Sequence, residues 1–224
     1  MHLFGSAGPL VEWGWVSSHL GEIVSALGHH IELTAIAVAV GFAIALPLAV
    51  AAWKVRVLRP PFVAATGALY VVPSIALFAL VQPLTGFFSI TTAEVALVGY
   101  TLLILLRNTI AGLDAVPAEV REAARGMGYT QLAELVRVDL PLALPSIFAG
   151  LRVATVTVVG LVTVTAFIGQ GGLGQLIIQG FSTDFNTPIV VGLVLSVLVA
   201  GVADALWVGL ERLAVPWFRA KRTA

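Results

Sequence analysis

The sequence predicts an all-α, polytopic membrane protein with five transmembrane helices and a helical hairpin between spans 3 and 4. Three observations carry this. Of 224 residues, 59% are apolar and 11% charged, against roughly 45–50% and about 25% in soluble domains. Five stretches are long enough to span a bilayer, each close to the ~20 mostly apolar residues that a spanning helix needs. The basic residues avoid whole regions of the chain and collect where one side of such a layout would lie.

The elements follow in order. Residues 1–30 form an N-terminal segment. Within it, Val16, Leu20, Ile23, Val24 and Leu27 fall on one helical face beside Trp13 and Trp15. That pattern reads either as a short helix on the outer membrane surface or as an unordered leader to span 1. The membrane-spanning body occupies 31–213, with spans at 31–53, 62–82, 93–113, 143–168 and 188–210 and a polar interruption at 114–141. Pro47, Pro73 and Pro145 interrupt spans, which bundles tolerate because neighbouring helices satisfy the freed backbone groups. Residues 214–224 form a tail. Alternating short strands are absent from the pattern, which argues against a membrane barrel.

No Lys or Arg occurs in residues 1–53, between spans 2 and 3, or between spans 4 and 5. The positive-inside rule then predicts an outer N-terminus and a cytoplasmic C-terminus, in agreement with the parity of an odd number of spans. The 12 basic and 12 acidic residues cancel, leaving no excess charge for nucleic acid. With no cysteine there is no thiolate metal site or thiol nucleophile. The His29–His30 pair lacks partners at metal-ligand spacing, and no nucleophile–base constellation is visible. Gly169, Gly171 and Gly174 satisfy a GxGxxG pattern, but it follows an apolar span rather than a strand, so a bend is expected there instead of a nucleotide site. No phosphate-binding GxxxxGK[ST] loop is present.

The interruption at 114–141 reads as helix, glycine, helix. Asp114 and Pro117 suit a helix start, Gly128 a left-handed C-cap, Thr130 a second start, and Leu140-Pro141 a stop before span 4. Leu132, Leu135 and Val136 share the apolar face of the second helix, with Glu134 and Arg137 elsewhere. Glu122-Ala123-Ala124, then Gly128 after three residues, then Val138, Leu140 and Pro141 reproduce the spacing of the EAA loop. In this respect the chain resembles the permeases of ABC importers, in the methionine-importer-like superfamily, with Val138 in place of the commoner Ile. Val71–Gly86, Leu105–Gly128 and Phe167–Phe181 resemble more narrowly the permeases for glycine betaine, choline and carnitine.

The resemblance implies a transport subunit of the bacterial cytoplasmic membrane, surrounded by lipid, that binds no cofactor itself. It implies a cytoplasmic ATPase dimer holding ATP and Mg, a second permease subunit (identical or homologous), and an extracytoplasmic solute-binding protein. ATPase coupling would fall to Glu122, Ala123, Ala124, Gly128, Tyr129, Val138, Leu140 and Pro141. Candidates for the pathway or its gate are Tyr70, Pro73, Phe78, Gln170, Gly171 and Gly172. Tyr70, Phe78, Phe87, Phe88 and Tyr100 are the aromatic faces that could meet a quaternary ammonium. Alternatives are an ABC permease for another small solute such as an amino acid, or an ion-gradient-driven transporter or channel. Inverted repeats and mid-membrane acids would favour the latter.

Asp204 is the clearest acid inside a span and calls for a buried partner. At 1.5 Å per residue it lies about 13 Å from the cytoplasmic end, beside Arg152 at about 15 Å rather than Arg107 at roughly 9 Å.

Overall fold

The computed structural model describes residues 10–87 and 89–216. His2, Phe88, Arg219, Lys221 and Arg222, and with them parts of the N-terminal segment and tail, lie outside the described residues. Among the described residues there are helices and no strands. They are α1 (Trp13–Ser18), α2 (Leu20–Lys54), α3 (Arg59–Val71), α4 (Ser74–Thr85), α5 (Ile90–Asp114), α6 (Ala118–Gly126), α7 (Gln131–Glu134), α8 (Leu140–Val164), α9 (Leu173–Thr183) and α10 (Asn186–Ala214). Among the described residues, four continuous helical stretches are long and apolar enough to cross a membrane: α2, α5, Gln131–Ile168 and α10.

Several expectations are corrected. The helix of the first span begins at Leu20, so much of the segment read as a surface helix or leader extends α2; only Trp13–Ser18 forms a separate turn. Nothing between Leu20 and Ile31 breaks a helix, and Ile23 is buried against Leu173 and Leu176. The second span is not one helix. It is the pair Arg56–Val71 and Ser74–Thr85, bent by 103°. Pro73, at φ −55° and ψ 135°, caps α4. It has no N–H to continue α3, and it disfavours helical geometry in the preceding Val72.

The chain divides into two compact units. The first draws on 1–37, 72–97 and 156–202. In it, α9 and α10 pack closely at glycine: a Cβ on Gly192 would lie 2.7 Å from Ile177 Cγ1 and 2.9 Å from the Leu173 carbonyl. The second draws on 38–71, 98–155 and 203–224. Ala49, Ala52, Leu106 and Ile110 are buried at its centre, with Phe62 and Val63 against them. A Cβ on Gly112 would meet Ser146 Cβ at 2.8 Å, and one on Gly150 would meet Asn108 Cβ at 2.7 Å. Small residues at such contacts fit helices in lipid, where close van der Waals packing rather than water exclusion draws helices together.

Candidate functional site

The hairpin between α5 and α8 lies wholly in the second unit. α5 runs through Asp114, so Asp114 does not cap the next helix; it pairs with Arg59 at 2.7 Å. The cap of α6 is Pro117, in extended geometry. α6 closes in a Schellman turn: Gly128 N–H donates to the Arg125 carbonyl at 2.9 Å and Tyr129 N–H to the Ala124 carbonyl at 3.1 Å. Gly128 has φ +85°, a region that costs a residue with Cβ about 1–2 kcal/mol. Thr130 caps the second helix, its Oγ1 accepting from Ala133 N–H at 3.3 Å.

Leu140-Pro141 does not stop that helix. Residues Leu135–Asp139 form a π turn, with Leu140 N–H bonded to the Leu135 carbonyl, and helical structure continues into α8. The wider turn ends just ahead of Pro141, so the helix carries a local distortion there instead of a terminus.

Side chains lock the hairpin. Arg125 donates from Nε and Nη2 to both oxygens of Glu134, each at 2.9 Å. The bonds from Arg125 hold the Glu134 carboxyl below its ordinary value of 4.5 and raise the Arg125 guanidinium. Arg121 Nε donates to Asp139 Oδ1 at 2.7 Å, and its Nη2 donates to the Leu113 carbonyl. Its guanidinium carbon sits 4.9 Å from the centroid of the Trp53 ring. One residue thus ties α6 to the ends of α2 and α5 and to the π turn. Ala124 is buried, whereas Glu122, Ala123 and Gly128 are exposed, and Tyr129, Val138, Leu140 and Pro141 are half-buried. The expected apolar face is only partly turned inward. Leu135 is buried, but Leu132 and Val136 are exposed, as are Val120 and Met127, while Glu134 takes a buried place because Arg125 pairs with it. The hairpin therefore presents small, acidic and apolar groups outward from a charge-clamped base.

Asp204 receives Arg152, Nε donating to Oδ1 at 2.7 Å and Nη2 to Oδ2 at 2.9 Å, but the pair expected to be buried is half-exposed on this chain. Nearby, Trp207 Nε1 donates to Thr155 Oγ1 at 2.8 Å. Tyr70 and Tyr100 meet edge to face, with ring centroids 6.0 Å apart. Phe78 is fully buried and Phe87 is exposed. The bend expected at the glycine run is present, with Gly169 at φ +78° and Gly172 at φ +48°. Gly171 and Gly172 are buried. A Cβ on Gly172 would fall 2.8 Å from both the backbone nitrogen and Cβ of His30. Gln170, Gly172 and Gln175 line a small cavity with Glu22 and His29.

The Arg125–Glu134 and Arg121–Asp139 pairs had no signal in the sequence, because each crosses the glycine turn and follows no helical spacing. Glu94 was also missed. Both of its carboxylate oxygens are buried in α5 without a hydrogen-bond partner.

Comparison with known proteins places this geometry. The model of the family described as "Binding-protein-dependent transport system inner membrane component" matches residues 37–213. The chain is 36% identical over 196 residues to the osmoprotectant import permease protein OsmW of Salmonella typhimurium, covering 86% of this chain and 91% of that one. It is 33% identical over 196 residues to the glycine betaine/carnitine/choline transport system permease protein OpuCB of Bacillus subtilis, covering 88% and 90%. A 136-residue stretch is 41% identical to the ergothioneine transport permease/ergothioneine binding protein EgtU of Helicobacter pylori, covering 61% of this chain and 24% of that one. In fold it resembles a chain of the inward-facing MetNI methionine ABC transporter, with a TM-score of 0.79 at 23% identity, covering 88% and 98%. With the family model spanning most of the chain, the protein belongs to the inner membrane components of binding-protein-dependent transport systems.

Proposed function

We propose that the chain is the permease subunit of an ATP-driven importer of osmoprotectants bearing a quaternary ammonium, such as glycine betaine, choline or carnitine. The observation that carries the solute class is the near full-length similarity to permeases named for those solutes. In this reading the N-terminus is outside and the hairpin cytoplasmic. An ATPase dimer grips Glu122, Ala123 and the exposed apolar residues Val120, Met127, Leu132 and Val136. A solute-binding protein delivers cargo, and a second permease subunit completes the path. Because Arg121 and Arg125 clamp the hairpin base, ATPase closure moves it as a body and biases the spans between two arrangements.

Charge adds support for a cationic head. The first unit contains Glu12, Glu22, Glu32, Glu94 and Asp184 but no Lys or Arg. A region of that composition attracts a permanent cation and repels anions. Uptake of labelled betaine, choline, carnitine and ergothioneine in cells with and without the chain tests the reading. Chain-dependent uptake of at least one is expected; uptake of none, with methionine or another amino acid carried instead, would overturn it.

A further inference from the structure

α3 and α5 of the second unit bound an open groove of about 680 Å³. Its walls include Val63, Ala64, Gly67 and Leu103, and its basic residues are Arg59 and Arg107. Arg59 also lines the polar pocket beside the hairpin, which holds Lys54 and Arg56. The furrow and this pocket share Arg59; in the pocket Asp114, Asp139 and Glu134 pair with Arg59, Arg121 and Arg125, which leaves the charges of Lys54 and Arg56 in excess. Arg59 is tied to Asp114, but Arg107 is exposed and makes no hydrogen bond or ion pair among the described residues. It stands seven residues before the end of α5, about 10 Å along the helix. A guanidinium at that depth is costly beside hydrocarbon unless an anion meets it or its stem reaches the headgroup layer.

We infer that this groove binds an anionic phospholipid, its phosphate on Arg107 and Arg59 and an acyl chain along Val63, Gly67 and Leu103. The apolar walls favour an acyl chain over a hydrophilic solute; the nearby acid, Asp114, is taken up by Arg59, so the charge that favours a negative head is that of Arg107. The inference uses the orientation proposed above, which puts the end of α5 at the cytoplasmic leaflet, but it does not depend on which solute is carried.

The test is native mass spectrometry of the full chain with its ATPase partner in detergent, titrated with phosphatidylglycerol, phosphatidylcholine or inorganic phosphate. Phosphatidylglycerol should be retained about fivefold over phosphatidylcholine, the factor one surface arginine supplies. Arg107→Gln should abolish that preference. Gly67→Leu should reduce retention of both lipids by obstructing the furrow; a Cβ at Gly67 meets only Leu103 Cδ1, at 3.9 Å, so the backbone has room for it. Equal retention of the two lipids by the wild type would overturn the inference, as would an unchanged preference in Arg107→Gln. Displacement of phosphatidylglycerol by inorganic phosphate would show a free-anion site. Dissociation of paired permeases by either variant, with lipid retention intact, would show a protein contact; both results overturn the lipid assignment. Retention is read without transport, so failure of the solute assignment leaves it standing, and single-cysteine labelling decides orientation separately.

Discussion

Ion pairs set the second unit apart from the first. The second contains every Lys and Arg of the chain and all four Arg–carboxylate pairs found among the described residues: Arg59–Asp114, Arg121–Asp139, Arg125–Glu134 and Arg152–Asp204. The first has no Lys or Arg and relies on close backbone contact at glycines such as Gly172 and Gly192, a packing the second also uses, at Gly112 and Gly150, in addition to its ion pairs. Close backbone contact resists any added atom. An ion-pair network resists loss of one partner but lets paired groups travel together. The hairpin, which has to transmit movement in the proposed mechanism, is built the second way.

The largest expected effect breaks the first kind of packing. Gly172→Ala should destabilise by about 3 kcal/mol, since it combines overpacking at roughly 1–3 kcal/mol with a positive φ at about 1–2 kcal/mol. The atoms nearest that Cβ are the backbone and Cβ of His30, which cannot swing aside. A melting temperature matching wild type would show that the close contact is not a constraint.

Next come Arg152 and Asp204. Asp204→Ala and Arg152→Ala should each lower the melting temperature in detergent, and the double variant should lose less than the sum because no charge is stranded. Strict additivity would remove the pair from the account of the second unit.

Gly128→Val should insert normally yet lose transport, because the Schellman turn that aims the hairpin requires φ +85°. Glu122→Lys, on the exposed face, should weaken ATPase recovery without changing the melting temperature. Normal transport by both variants would reduce the hairpin to a connector. In the same preparations, cysteines at Ser89 and Thr183 should label from outside and those at Val57 and Thr130 from inside; outside labelling of Thr130 would reverse the proposed orientation.

The pH dependence is smaller. Glu134 ionises below its ordinary value because Arg125 bonds it. A depressed carboxylate contributes fully above the unfolded value, near 4.5, and that contribution is lost as pH falls through the depressed value. Proteolytic protection of the hairpin should therefore hold across neutral pH and fall only in acid below that window, and Glu134→Gln should remove this acid step. Smallest is Thr130→Ala, expected to cost about 1 kcal/mol of local helix stability through loss of the cap, read as faster hydrogen exchange in α7.

Much of this was legible along the chain, where a property needs only near neighbours. Hydropathy marked the apolar stretches, and Gly128 marked a turn that residues with Cβ enter at a cost. The Arg152–Asp204 pair was also accessible, because helix rise converts sequence position into depth for spans starting from the same surface. Tertiary structure alone decided how sharply the chain bends at Pro73, since proline removes one bond and permits a kink without setting its angle. It alone carried the helix through Leu140-Pro141, because a π turn absorbs the missing donor when packing holds both sides in line. It alone paired Arg121 with Asp139 and Arg125 with Glu134, because the partners lie on opposite sides of a glycine turn and only its geometry determines which side chains face each other.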